Sequence, residues 1–276
     1  MQPQHLFQSF PLEQTGYFEV PGAHLYTVLH PAPQPAARVL LVGPFASERH
    51  FSYIPWVRWA RFLADRGIEC LRYDYRGVGE STGSFDEVGF ADWIGDVNRL
   101  AIWLKGRSPE APVFLHGLEM GAILAGRAFA NGAGDGLLIW APPASANHAL
   151  RETMLRRIGM DHAFKYGQER KPVAEYMDRL ENGPYLDVEG YRWSSRLWHE
   201  SFQFELPAGL DVPNGVVFDR PVRSEKLAKH AAPLVKGSSV SYEAINRDFN
   251  DLFTENFNWI RSTIAQTEGG GGGRSN

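Results

Sequence analysis

The sequence predicts an α/β fold in which a mostly parallel sheet is covered by helices on both faces. Three observations lead to this prediction. Short apolar runs alternate with amphipathic helical stretches along most of the chain. One of these runs enters a tight glycine-bounded turn, GLEMG, and continues into a helix of small residues. The alternation stops between residues 142 and 207, where charged and aromatic residues recur at helical spacing.

Length and composition favour one large domain. The chain has 276 residues, of which 43% are hydrophobic and 22% are charged, as in ordinary globular proteins. We therefore predict a single domain over residues 1–267, with residues 142–207 inserted as a helical lid. The glycine-rich residues 268–276 are expected to form a flexible tail.

The individual elements follow from the same patterns. Runs at residues 17–20 and 24–30 predict a hairpin across Pro21-Gly22, and central strands are predicted near residues 38–43, 68–73, 112–116 and 136–140. Helices are predicted near residues 52–66, 88–105 and 120–131. After the lid we predict a strand at 215–219, a helix at 223–231, a strand near 239–245 and a final helix at 250–264.

Charge and hydropathy exclude several classes of function. The net charge of −4, without a basic stripe, gives no support for a nucleic-acid partner. No run approaches the roughly 18 apolar residues that a membrane span requires, and the first residues lack the features of a signal peptide. A cytoplasmic protein is therefore expected. The single cysteine, Cys70, lies in an apolar run and is predicted to be a buried strand residue. No motif indicates a metal or a cofactor.

The turn GLEMG matches the nucleophile elbow of the α/β-hydrolase fold, in its required strand–turn–helix setting. Gly117 and Gly121 are expected because the turn brings the strand and helix backbones too close for a β-carbon. The residue between them, Glu119, is predicted to have a strained backbone and a side chain that points into a pocket. In an active serine hydrolase this position holds the nucleophile.

Glu119 has no hydroxyl group, so the serine-esterase mechanism is excluded. A carboxylate can act as a nucleophile, as aspartate does in haloalkane dehalogenases and epoxide hydrolases of this fold, but glutamate is one methylene longer. The general base normally follows the last strand. This region offers only groups without a near-neutral pKa: Asn246, Asp248, Asn250 and Asp251.

Two of the histidines are interpreted as residues other than the general base. His230 is interpreted as an exposed helix residue, and His116 as a strand-end side chain fixed by hydrogen bonds. A histidine of the lid remains an alternative base; the candidates are His148, His162 and His199.

Two loops complete the candidate site. In DYRGVGESTGSF, Asp74 and Arg76 are expected to hydrogen-bond to the loop backbone and to each other, and Gly77 and Gly79 to permit the tight turn. In GPFASERH, the backbone N–H of Phe45 is expected to form an oxyanion hole together with that of Met120.

The chain resembles the α/β-hydrolase-fold proteins associated with the exosortase/PEP-CTERM sorting and exopolysaccharide system. The resemblance covers most of residues 38–207 and rests on five segments: GPFASERH, DYRGVGESTGSF, ADWIGDV, HGLEMGAILAG and GYRWSSRLWHESFQFELP. It implies a bacterial protein that acts near envelope polysaccharide or surface-protein biogenesis. Members of that group often have arginine at the elbow, and Glu119 departs from that pattern by inverting the charge.

Two hypotheses remain at this point. In the first, the chain is noncatalytic and binds a small molecule, an acyl, peptide or saccharide-linked ligand, or a partner protein, in the cleft under the lid. In the second, it is an ester, thioester or peptide hydrolase in which Glu119 acts as nucleophile or as base for a water. We further expect an arginine to pair with Glu119; the candidates are Arg49, Arg76, Arg151, Arg156 and Arg157.

Overall fold

The computed structural model describes residues 13–46, 49–140, 142–164, 171–207, 217–220 and 242–270. The predicted helix at 223–231 and His230 lie outside these residues. So do residues 271–276 of the predicted tail.

A seven-stranded sheet forms the centre of the fold. Its strands, in chain order, are β1 Gln14–Val20, β2 Ala23–His30, β3 Ala37–Val42, β4 Ile68–Tyr73, β5 Val113–Leu118, β6 Gly136–Trp140 and β9 Val217–Arg220. Their spatial order is β1-β2-β4-β3-β5-β6-β9. Strand β2 is antiparallel to β1 and β4, and the remaining pairs are parallel. The predicted mostly parallel sheet is confirmed.

The burial of the strands explains their apolar composition. Every residue of β3, β5 and β6 is buried, because helices cover both faces of the sheet. The antiparallel edge strand β1 is mostly exposed or half-buried, and exposed residues alternate with more buried ones from Thr15 to Val20. It turns into β2 at Pro21-Gly22, where Gly22 has a φ of +80°.

Four helices pack on the two faces of the sheet: α1 Arg49–Ala64, α2 Phe90–Arg107, α3 Met120–Ala130 and α7 Tyr242–Gly270. Helices α1 and α7 cover one face, where Trp59, Leu63 and Phe253 are fully buried against the strands. Helices α2 and α3 cover the other face in a larger core that includes Trp93 and Phe129. This arrangement places the end of β5 and the start of α3 at the carboxyl edge of the sheet.

The segment between β6 and β9, residues 142–207, forms helices α4 Ala146–Phe164, α5 Val173–Asn182 and α6 Ser195–Ser201. The helices agree with the sequence pattern. A short hairpin of β7 Leu186–Val188 and β8 Tyr191–Trp193 between α5 and α6 was not predicted. Its turn contains Glu189 and Gly190, which both have positive φ angles. We refer to residues 142–207 as the inserted segment.

The strand predicted near residues 239–245 is wrong from Tyr242 onward, because α7 begins there. The buried apolar side chains further along this helix are Leu252, Phe253 and Ile260, at helical spacing. Ile245 and Phe249 continue the same spacing towards the start of the helix, so the helical period prevails over the β-forming Tyr242. Helix α7 also includes Glu268, Gly269 and Gly270, which we had assigned to the tail.

Candidate functional site

Glu119 occupies the turn between β5 and α3. Its φ and ψ angles are 53° and −121°, a combination that side-chain-bearing residues rarely adopt. Two backbone hydrogen bonds fix the turn: the N–H of Glu119 donates to the carbonyl of Trp140 at 2.9 Å, and its carbonyl accepts from the N–H of Ala122 at 2.9 Å. The strained strand–turn–helix geometry predicted for this position is present, with a half-buried glutamate at its centre.

The two glycines beside Glu119 are required by different neighbours. A β-carbon on Gly117 would lie 2.4 Å from the Cα of Ala122, which is the predicted clash between strand and helix. A β-carbon on Gly121 would instead lie 2.1 Å from the carbonyl oxygen of Val42 and 2.3 Å from that of Gly43. The start of α3 is therefore pressed against the end of the neighbouring strand β3.

This contact brings the two predicted oxyanion donors to neighbouring positions. Met120 precedes Gly121 at the first position of α3, and Phe45 follows Gly43 by two residues. Both side chains are buried. The ring of Phe45 packs against three aromatic rings, those of Phe85, Trp93 and Trp193, with centroids 5.4 to 5.9 Å away. The loop after β3 is thus held by packing, while the oxyanion role of Phe45 and Met120 stays a prediction.

The loop after β4 is held by ion pairs, but not the pair expected from sequence. Asp74 pairs with Arg49 and accepts a hydrogen bond from the N–H of Glu80 at 3.0 Å. Arg76 reaches Asp96 on α2 with two hydrogen bonds of 2.6 Å. The predicted pairing of Asp74 with Arg76 is therefore wrong. Asp96 is twenty residues further along the chain, and nothing in the loop sequence indicates it.

Arg76, Gly77 and Gly79 stabilise the conformation of this loop and its contacts with neighbouring elements. A third hydrogen bond from Arg76, 2.7 Å to the carbonyl of Pro21, ties the β1–β2 turn to α2. Gly77 and Gly79 both have positive φ angles, and a β-carbon on Gly79 would lie 2.0 Å from Oδ2 of Asp74. These contacts agree with the prediction that Gly77 and Gly79 permit the tight turn of the loop, whereas Arg76 hydrogen-bonds to Pro21 and Asp96 outside the loop.

His116 is buried among tryptophans and has no capacity left to act as a base. Its Nδ1 accepts a hydrogen bond of 2.8 Å from Nε1 of Trp59. The centroids of Trp56 and Trp140 lie 4.9 and 4.4 Å from the imidazole ring. Burial lowers the pKa of His116 well below its usual value, so the ring is neutral and carries its proton on Nε2. The interpretation of His116 as a side chain fixed by hydrogen bonds is confirmed.

The other described histidines are also engaged elsewhere or exposed. His30 accepts a hydrogen bond of 2.9 Å from Nε of Arg72. His148 pairs with Glu152 on the exposed side of α4, and His199 is exposed on α6. The side chain of His162 lies outside the described residues. In the part of the chain that the structure describes, no histidine is seen hydrogen-bonded to Glu119 or to a serine.

Four of the five arginines proposed to pair with Glu119 have other partners. Arg49 pairs with Asp74, and Arg76 with Asp96. In the inserted segment, Arg156 pairs with Glu189 and Arg151 donates to Oδ1 of Asn147 at 2.8 Å. The pairing of Glu119 with an arginine stays a prediction.

Sequence reasoning missed two buried tryptophans beside the loop that holds Phe45. Trp93 lies on α2 and Trp193 on β8, each with 1% of its surface exposed. Among the described residues, the indole Nε1 of each tryptophan has no hydrogen-bond partner. Such buried donors are uncommon because leaving one unpaired costs about 1–3 kcal/mol. The sequence shows that GYRWSSRLWHESF is rich in aromatic residues. It does not show that this segment packs against Phe45.

Cys70 is buried in β4, and burial raises the pKa of its thiol well above the usual value. It is therefore an inert core residue, as its apolar surroundings predicted. Across the described residues, no helix has both the length and the apolar character that a bilayer span requires.

Comparison with known proteins supports the fold. The family model described as serine aminopeptidase, S33, matches residues 53–162, which include the elbow. No curated protein matches the chain. A solved structure of an α-β serine hydrolase homologue from Coxiella burnetii is matched over 64% of its length.

Three further solved structures match over most of both chains. A monoglyceride lipase from Saccharomyces cerevisiae, solved with a substrate analog, is 14% identical with a TM-score of 0.58, over 92% of this chain and 97% of the lipase. Est1E from Butyrivibrio proteoclasticus is 13% identical with a TM-score of 0.55, over 91% and 99%. A putative hydrolase from Agrobacterium vitis is 15% identical with a TM-score of 0.54, over 92% and 100%. Together with the sheet order and the elbow, these matches show that the chain has the α/β-hydrolase fold.

Proposed function

We propose that this chain is a noncatalytic α/β-hydrolase-fold protein that binds a small acyl or peptide ligand at the carboxyl edge of the sheet. The observation that carries the proposal is Glu119 itself. It keeps the strained backbone of a nucleophile elbow but has neither a hydroxyl nor a thiol group to attack a carbonyl.

The described side chains of three histidines support the same proposal. A serine or carboxylate mechanism needs a group that takes up a proton near neutral pH. His116, the histidine nearest in sequence to Glu119, uses its Nδ1 to accept from Trp59. His148 and His199 are exposed on the helices of the inserted segment. These three side chains are thus engaged with a tryptophan or exposed to solvent.

Three features support ligand binding at this position. Backbone strain of about 1–3 kcal/mol persists at a non-glycine residue only where the surrounding structure fixes that conformation, and such residues cluster at binding and catalytic sites. The buried indole N–H groups of Trp93 and Trp193 lie beside Phe45 and suit a carbonyl or carboxylate oxygen. Glu119 adds a polar group aimed by the elbow. An apolar ligand with one or two oxygen acceptors fits this combination.

The retained strain also favours the second candidate, a hydrolase in which Glu119 is the nucleophile or the base for a water. The matched family model is described as a serine aminopeptidase, and two of the solved structures are named as a monoglyceride lipase and a putative hydrolase. These names are compatible with the second candidate but do not favour it over the first. A role beside exosortase and exopolysaccharide proteins in a bacterium rests only on the resemblance carried by the five segments GPFASERH, DYRGVGESTGSF, ADWIGDV, HGLEMGAILAG and GYRWSSRLWHESFQFELP.

The test combines hydrolysis with binding. Purified protein is screened against p-nitrophenyl esters and thioesters of short and medium acyl chains, in parallel with Glu119→Ala. We expect equal background rates for both proteins. Binding of the corresponding free fatty acids is then followed by tryptophan fluorescence, with Trp193→Phe as the variant that removes one indole donor. We expect weaker binding by Trp193→Phe, and an exposed control, Trp103→Phe on α2, to bind as the wild type does.

Saturable ester hydrolysis that is lost in Glu119→Ala would overturn the proposal in favour of the second candidate. Absence of any fatty-acid or peptide binding by the wild type would also overturn it.

A further inference from the structure

A cleft of about 380 Å³ lies within the inserted segment, between α4, α5 and the β7–β8 hairpin. Its lining combines four cationic side chains with one anionic side chain, two tyrosines and one leucine: Arg157, Lys171, Arg179, Arg192, Asp187, Tyr176, Tyr185 and Leu186. The chain as a whole has a net charge of −4. The excess of positive charge in the cleft is therefore opposite in sign to the net charge of the whole chain.

The cleft lies on the outer face of the hairpin. Successive residues of a strand point to opposite faces. Trp193 packs against Phe45 with centroids 5.9 Å apart, and Tyr191 packs against Phe85 at 5.0 Å, so these two residues face the core. Arg192 lies between them and faces outward, opposite Asp187 in the strand register. The cleft is thus separated by the hairpin from the aromatic cluster beside Glu119.

Two of the cations that line the cleft, Arg179 and Arg192, form no ion pair with a carboxylate among the described residues. Arg179 occupies the last turn of α5. The guanidinium group of Arg192 lies over the ring of Tyr185, 5.0 Å from its centroid, which orients it. Lys171 pairs with Glu175. Positive charges that line one cleft without such a partner attract an anion to it.

We propose that this cleft binds a small phosphorylated molecule that carries at least two negative charges. Arginine is suited to phosphate because its planar guanidinium donates two parallel hydrogen bonds. The hydroxyl of Tyr185 adds a neutral donor. A volume of about 380 Å³ lies within the range of sites for small ligands. The site is independent of the ligand proposed near Glu119.

The test uses inorganic pyrophosphate as the probe and isothermal titration calorimetry of the full chain at low salt. We expect saturable binding that weakens at least about tenfold in Arg179→Gln and in Arg192→Gln, because each removes a charge-assisted hydrogen-bonding group. The matched control is Arg66→Gln, which removes the same charge from the exposed turn after α1 and should leave the affinity unchanged. Arg192→Lys keeps the charge without the planar fork and should bind with intermediate affinity.

A second arm distinguishes a free phosphorylated metabolite from a phosphate headgroup. Vesicles of phosphatidic acid and of phosphatidylcholine are sedimented with the protein. Binding of pyrophosphate without sedimentation indicates a free ligand. Sedimentation with phosphatidic acid that is lost in Arg192→Gln indicates a headgroup.

Three results would overturn the proposal. The first is absence of both pyrophosphate binding and phosphatidic-acid binding. The second is equal binding by the wild type, Arg179→Gln and Arg192→Gln, with circular dichroism showing that all are folded. The third is tighter binding of polyglutamate than of pyrophosphate, which would point to an acidic protein partner.

Discussion

The backbone strain at Glu119 predicts an unusual effect of glycine. At φ 53° and ψ −121° a β-carbon is disfavoured, whereas glycine adopts this conformation readily. Glu119→Gly should therefore be more stable than Glu119→Ala, because both lack the carboxylate and only alanine retains the strained β-carbon. Strain of this kind costs about 1–3 kcal/mol, and the greater freedom of glycine in the unfolded chain offsets about 0.5–1 kcal/mol of it. The expected net advantage of glycine is about 0.5–2 kcal/mol.

The measurement is urea unfolding followed by tryptophan fluorescence, with the free energy of unfolding compared between the two variants. Ala265→Gly is the matched control, since Ala265 is exposed on α7 and an ordinary helical position loses about 1 kcal/mol on this change. The reasoning fails if Glu119→Gly is no more stable than Glu119→Ala while the control behaves as expected.

Three further predictions concern the elements around the site. Gly121→Ala should lose about 3 kcal/mol in urea unfolding, because its β-carbon meets two carbonyl oxygens of the neighbouring backbone; Gly106→Ala, where a β-carbon meets nothing within 4 Å, should be neutral or stabilising. Burial above all holds the pKa of His30 at about 4, so the folded chain binds fewer protons than the unfolded chain between that pH and the usual value near 6.5. Stability should therefore fall by up to about 3 kcal/mol as the pH drops through this range, and thermal melts of His30→Gln should show a flatter pH dependence; parallel curves would refute this. Arg76→Met leaves the buried carboxylate of Asp96 without its main partner and should lose about 3–5 kcal/mol, much of which the double variant with Asp96→Leu should recover in the same urea assay.

The fold and the elbow were predictable because local patterns determine them. The strands at 68–73 and 136–140 match β4 and β6 to the residue, since each is an apolar run bounded by charged or turn-forming residues. The turn at Gly117–Gly121 was predictable because only glycine fits where backbones approach so closely. The contact of Gly117 with Ala122 lies within a few residues of the chain, whereas that of Gly121 with Val42 and Gly43 joins distant segments.

What sequence reasoning missed depends on contacts between distant residues. The Arg76–Asp96 pair links a loop to a helix, and the neighbours of Phe45 come from α2 and from the inserted segment. The β7–β8 hairpin has only three residues in each strand, too few for a period of two to be recognised. The strand predicted near 239–245 was wrong from Tyr242 onward because a long amphipathic helix begins at that β-forming residue.

The most direct test of the account is the fate of the Glu119 carboxylate during exposure to substrates. The protein is incubated at high concentration with the ester and thioester panel in water enriched in oxygen-18. Free acid is then quantified, and the peptide that contains Glu119 is weighed by mass spectrometry. The account predicts acid formation at the rate of Glu119→Ala and no change in the mass of the peptide. Acid formation that depends on Glu119 would contradict it, and oxygen-18 in that peptide would identify the carboxylate as a nucleophile.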